Sequence, residues 1–446
     1  MPVSRASRAA ISMACAALLL ATSACGSDQP EEATTNTQVR LYGTDGNMQN
    51  SYAAELKGRA DLLNGMKGTI PLVQLPESFK ERLRTVDPKL TDYLYSAESY
   101  DAVVISSLAA QLAGTTQPTE IAKQIVGVTN GGQRCEDAAT CLRLARTGQD
   151  IEYRGVTLTR AGFTDAGEPA TASYATLHFD HERINDGKTE FVGAGDESGA
   201  STKTPPPGRK QRDGKSGGPL VLGGLLPKTG DLALAYPPIA AGVALALQDV
   251  NAAGGVLGKP VTWIDGDDGT NPAIAKATVA SHVQKGVHVI IGAAASGISR
   301  AVLPDVVAAG RVLFSPSNTD AGLTTIDDKG LYFRTAPSDI LQGRALADVI
   351  MRDGPHKVAI VARKDSYGEG LQENVRAELE RAGLGGDRVK LLSYELPADA
   401  QAPPVDFSAV AKQVKDDGAD AVLIIGFGES LKVITALDDA GVQLQH

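Results

Sequence analysis

The sequence predicts an α/β protein of doubly wound, mostly parallel sheets, and three observations predict it. From Leu220 to Gly441, short β-branched runs near Leu220, Val261, Val289, Val312, Val358, Val389 and Val422 alternate with stretches of helical spacing, the signature of strand–helix–strand units with helices on both sheet faces. Gly286–Thr319 is the clearest such unit, reading strand, tight turn, helix, strand, tight turn. Finally, the chain ends just after a helix, where a doubly wound sheet would place another strand, and an unassigned strand, Val39–Tyr42, waits at the other end.

Taken in order, residues 1–24 read as an export signal: Arg5 and Arg8 precede the apolar run Ala9–Ala21, and Ser23 and Ala24 precede Cys25. The run is too short to span a bilayer. Thr22-Ser23-Ala24-Cys25-Gly26 resembles a lipoprotein cleavage box, with Thr22 in place of the usual leucine, so Cys25 is the expected lipidation site. Residues 25–37 are polar and acidic and are expected to be a tether. Val39–Tyr42 runs into the turn Gly43-Thr44-Asp45-Gly46, which puts the Asp45 carboxylate at a strand's C-terminal end. A helix over 51–63, an extended piece over 69–75, helices over 78–83, 99–113 and 118–126, and strands over 151–158 and 172–179 follow. Residues 186–218 turn to Gly, Ser, Thr, Pro and charge, with Pro205, Pro206 and Pro207 in a row, and read as a flexible linker. The regular region then divides into 219–336 and 337–446, with Asp339 placed as a helix N-cap and Gly383 and Gly441 as helix stops.

Composition excludes several functions. Among 446 residues, 43 are basic and 53 acidic, and loss of Arg5 and Arg8 with the signal takes the formal charge from -10 to -12. A surface of that sign repels nucleic acid. No HExxH or Cys/His nucleophile constellation occurs, Gly208–Ser216 misses the phosphate-loop spacing by one residue, and no cofactor or metal set is evident. Of four cysteines, Cys15 leaves with the signal and Cys25 takes lipid. Cys135 and Cys141 remain, and in an exported chain a local disulfide is the simplest reading. A metal site there would need further ligands, and no His lies near the pair.

The chemistry concentrates at Gly286–Thr319. A parallel unit delivers both strand ends to one edge, so Ser296 should stand beside Ser317 and Thr319. The helix starting near Ser296 adds free N–H groups and the positive end of a dipole, a seat for a small carboxylate.

Six motifs add a resemblance. Gly224–Gly230, Asp249–Gly258, Gly292–Ser299, Phe314–Thr319, Phe333–Asp339 and Asp365–Gly370 together resemble the type I periplasmic (solute-binding) proteins of the leucine/isoleucine/valine-binding family. The segment 38–185 resembles the remainder of that fold, which in the family follows the helix that here ends at Gly441, so the order reads as circularly permuted. The resemblance implies two lobes, each with a doubly wound, mostly parallel sheet. One would join 219–336 with 77–160, and the other 337–446 with 38–76, with strand 172–179 returning to the hinge or second lobe. It implies an amino acid or similar small polar solute in the cleft between lobes: Ser296, the Ser317 carbonyl and Thr319 on the amino-acid head, Asp45 on the ammonium, and Tyr367 over the ligand. Phe427, Gly428 and Glu429 end a neighbouring strand, and the aromatic residue often found near Ala235 is here Tyr236. It further implies a binder rather than an enzyme, with no cofactor, lipid-anchored outside the cell membrane and delivering its ligand to an ABC permease and ATPase. A receptor-like sensor of the same fold is the alternative, and an amidase or other hydrolase a more distant one.

Overall fold

Five apolar runs between Val221 and Arg334 build sheet I. In this computed structural model, which describes residues 38–207, 218–397 and 403–445, all five strands are parallel. Their order is Tyr332–Arg334, Val312–Ser315, Val289–Gly292, Val221–Leu225, Thr262–Ile264. The central strand, Val-Ile-Ile-Gly, is wholly buried, as expected where helices cover both faces of a parallel sheet. Each Ile or Leu buried this way contributes about 1.5–3 kcal/mol. The helix Ser96–Ala113 crosses Tyr236–Ala252 on one face; a Cβ at Gly242 would lie 2.0 Å from the Ser96 carbonyl oxygen, so glycine there sets the helix spacing.

Sheet II draws on both ends of the chain. Its parallel strands run in the order Val389–Tyr394, Val358–Arg363, Ala421–Ile425, Arg40–Gly43, Lys67–Pro71. The N-terminal strand lies beside the C-terminal one with Leu41 opposite Val422. Thr171–Asp180 adds to Lys67–Pro71 in antiparallel sense and carries Arg183–Ile184 and Glu190–Gly195 on its other side. The chain passes from sheet I to sheet II at Thr335–Ser338, where Asp339 N donates to Thr319 O at 2.7 Å.

Several expectations are corrected. The helix over 51–63 is two pieces, Ser51–Glu55 and the 3-10 turn Ala60–Leu63, because Lys57 (φ 43°) and Gly58 (φ 92°) turn left-handed between them. The strand over 151–158 stops at Tyr153 and pairs with Gln133–Cys135. Beyond it the backbone wraps the buried Asp101, which accepts from Val156 N, Thr157 N, Thr157 Oγ1 and the Tyr153 hydroxyl. Those four hydrogen bonds satisfy the Asp101 carboxylate. Ser338, not Asp339, caps the helix Asp339–Arg352; its backbone is extended while Asp339 is already helical. The expected linker 186–218 is structured in part: Glu190–Gly195 is a strand, and Gln124 Nε2 donates to Pro206 O at 2.7 Å. Only 208–217 lies outside the described residues, as do the expected signal, Cys25 and the tether. Cys135 and Cys141 are disulfide-bonded.

Candidate functional site

Two loops of sheet I are tied together by small polar side chains. Ser315 Oγ donates to Ala293 O (2.7 Å) and accepts from Ser317 N and Asn318 N. Asn318 Nδ2 donates to Ala293 O and Ala294 O, and Ser317 Oγ donates to Ala294 O at 3.1 Å. Ser296 is the first residue of the helix Ser296–Ala308, and its Oγ accepts from Thr319 N (3.2 Å) and Asp320 N (3.3 Å). With both acceptances made, the Ser296 hydroxyl proton remains free to donate. The sequence-predicted trio therefore meets, because paired parallel strands end level with each other, Ile291 opposite Phe314.

Sheet II supplies the facing wall. The turn after Arg40–Gly43 is pinned by Asn47, which accepts from Thr44 N and donates to Ile424 O and Ser430 Oγ, so opposite ends of the chain share one loop cluster. Gly46 packs so closely that a Cβ would stand 2.3 Å from Gly426 O. Asp45 is thereby held 5% exposed, Oδ2 accepting from the Tyr95 hydroxyl (2.8 Å) and Oδ1 from the Tyr367 hydroxyl (2.8 Å) and Gln342 Nε2 (2.9 Å). Burial pushes its pKa up, and those three bonds pull it back toward the ionised form. The Tyr367 hydroxyl also meets Thr44 Oγ1 (2.8 Å), and its ring stacks on Phe427 at 5.4 Å. The Arg363 guanidinium lies 3.9 Å from the Phe427 centroid and pairs with Glu429.

Between the walls lies a narrow cavity lined by Asp45, Gly46, Tyr95, Ser296, Ser317, Tyr367 and Phe427, with Leu94, Leu232, Ala235, Ile239, Ala294 and Ala295 as its apolar part. The rims touch where Gly428 N donates to Asp231 O at 2.9 Å. Four of the five sequence-predicted ligand residues line this space. Thr319 sits behind it, 1% exposed, with its hydroxyl toward Asp339. Tyr236 points elsewhere, beneath Lys228 Nζ, and Ala235 takes the lining position. Sequence reasoning missed Tyr95 and Gln342. Gln342 was detectable as the residue one helical turn after Asp339 on the same face; Tyr95, at φ 58° just before its helix, carries no local signal. Arg334, fully buried, is an ion-pair residue locked onto Glu168 Oε2 (2.5 Å) and the carbonyls of Asn318 and Asp320. Among the described residues no group of three His, Cys, Asp or Glu could hold a metal.

The arrangement offers donors for a carboxylate on one side and a carboxylate acceptor on the other, separated by an apolar space. The family model for periplasmic binding proteins matches residues 219–446, just over half of the chain. The chain belongs to that family. This binding protein is similar to the Leu/Ile/Val-binding protein homolog 3 of Brucella melitensis (28% identical over 229 residues, 50% of this chain and 59% of the relative). It is also similar to homolog 2 of Brucella abortus (30% over 239 residues, 52% and 61%). The chain thus spans about six tenths of the length of these curated relatives. Among solved structures, the branched-chain amino acid transporter substrate-binding protein LivJ of Streptococcus pneumoniae in complex with isoleucine matches at 25% identity, covering 51% of this chain and 63% of that one, TM-score 0.42. A solute-binding protein of an ABC transporter from R. palustris in complex with benzoate matches at 25% identity, 51% and 61%, TM-score 0.43.

Proposed function

We propose that this binding protein holds a small α-amino acid, of the branched-chain kind, between its two sheets and delivers it to an ABC permease and ATPase. The observation that carries the reading is the polarity of the cavity. Asp45 stands on one wall as the ammonium partner, while the free Ser296 hydroxyl, Ser317 and the N-terminus of Ser296–Ala308 stand on the other for the carboxylate. Leu94, Leu232 and Ile239 would receive an aliphatic side chain, and Tyr367 with Phe427 would cover it. The names of the Brucella relatives agree with this class. Export with a lipid on Cys25 completes the reading. Circular permutation is part of it: the family match is confined to 219–446, and Arg40–Gly43 pairs with Ala421–Ile425.

The test is isothermal titration of leucine, isoleucine, valine, their amides and benzoate. Binding of the free amino acids with at least tenfold preference over both amides and benzoate is expected. Equal or tighter binding of benzoate would overturn the assignment of Asp45, and turnover of an amide would replace binder by hydrolase.

A further inference from the structure

A second carboxylate stands behind the first. Asp339, wholly buried at the start of Asp339–Arg352, faces the Thr319 hydroxyl, and among the described residues its oxygens meet no further side-chain donor. One turn on, Gln342 Nε2 bridges Asp45 Oδ1 and Thr69 O, so both acids share one helix end. Among the described residues neither carboxylate is ion-paired, and the nearby cation, Arg334, is occupied by Glu168. The groups facing Asp339 are Asp45 from the turn after Arg40–Gly43, Thr319 and Asp320 from the loop after sheet I, Arg334 from its edge strand, Tyr174 from Thr171–Asp180, Tyr95 ahead of Ser96–Ala113 and Tyr367 from Ser366–Arg381. Two buried like charges without a counter-cation cannot both ionise at ordinary cost, so such a pair shares a proton.

We propose that Asp339 is a positioning residue for the solute charge: it and Asp45 together carry one proton, and the arrival of the solute's ammonium on Asp45 releases that proton to solvent. This rests on the amino-acid reading above and adds a charge requirement to it. A zwitterion brings its own cation to the pair, whereas a plain carboxylic acid adds a third negative group and forces a further proton onto Asp45. Each acid opposes ionisation of the other, and burial raises both. Amino-acid binding needs ionised Asp45, so it should weaken as pH falls, and Asp339 should hold that acid limb at a higher pH than Asp45 alone would show.

The experiment is the pH dependence of isoleucine affinity in the wild-type protein and in Asp339→Asn, which keeps the shape and removes the charge. The midpoint of the acid limb is expected to move down by about one pH unit, with affinity above the limb retained. A variant whose affinity changes uniformly across pH, with the limb unmoved, overturns the proposal and leaves Asp339 a structural residue. Independently of any variant, titration of the wild-type protein in two buffers of different ionisation enthalpy should show proton release near the limb, and none there would overturn it too. A wild-type protein that binds no amino acid at any pH would sink the functional reading itself, whereas binding without a shift or proton release sinks only this inference.

Discussion

The two walls of the cavity handle charge in opposite ways. The sheet I wall carries no formal charge at the cavity: it presents hydroxyls, peptide N–H groups and a helix end, all tied by short local bonds among residues 293–320. The sheet II wall presents a carboxylate with aromatic rings, held by residues from Asp45 to Phe427 across the chain. A dipolar wall tolerates burial because its groups satisfy each other, whereas an acidic wall keeps a desolvation cost that a cation can offset. The difference teaches that the acidic wall should dominate selectivity and the dipolar wall should tune affinity.

The largest effect is expected from Asp45→Ala, which removes the one carboxylate that lines the cavity among the described residues. Isoleucine affinity should fall on the order of a hundredfold or more by isothermal titration, with circular dichroism unchanged; retained affinity would break the contrast between walls. Ser296→Ala should cost roughly tenfold, because one charge-assisted donor is lost while the helix end remains. A loss as large as that of Asp45→Ala would mean the dipolar wall carries the selectivity.

Glu98→Gln probes an acid on the dipolar side. Glu98 lies 3% exposed on the helix Ser96–Ala113, Oε2 unpartnered, and burial raises its pKa from 4.5 to about 8. The folded protein keeps this proton where the unfolded chain has lost it, so the group's contribution is full below pH 4.5 and declines as pH rises to about 8, by at most about 1.4 kcal/mol per pH unit. The variant should flatten the fall in Tm over that window and melt a few degrees higher than wild type at pH 8 and above. An unchanged slope would count against a protonated Glu98. The smallest effect belongs to deletion of 208–217: isoleucine affinity should stay within about twofold, and loss of binding would assign that segment to the site.

Much of the fold was legible because parallel strands buried on both faces are short, β-branched apolar runs, such as Val289–Gly292 and Ala421–Ile425, that alternate regularly with stretches of helical spacing. The chain's composition misled at 186–207: a strand there needs only an exposed edge beside Thr171–Asp180, so Glu190–Gly195 reads as polar linker until its partner is known. The break at Lys57 and Gly58 and the early stop at Tyr153 were equally invisible, since local apolar spacing continues past both.

At the site, the dipolar wall was readable from residues 286–319 alone because its parts are neighbours in sequence and parallel pairing levels their ends. The acidic wall was placed through family likeness rather than through any local pattern. Its full hydrogen-bond set, with Tyr95 and Gln342 joining Tyr367 on Asp45, emerged only from the packing of four separate segments. The sequence by itself determined the strand and helix periods and the hydroxyl cluster, all short-range properties of a chain. Tertiary structure alone decided that Asp45 is buried and that Asp339 stands behind it without an ion-pair partner among the described residues, because burial and charge pairing depend on distant segments meeting.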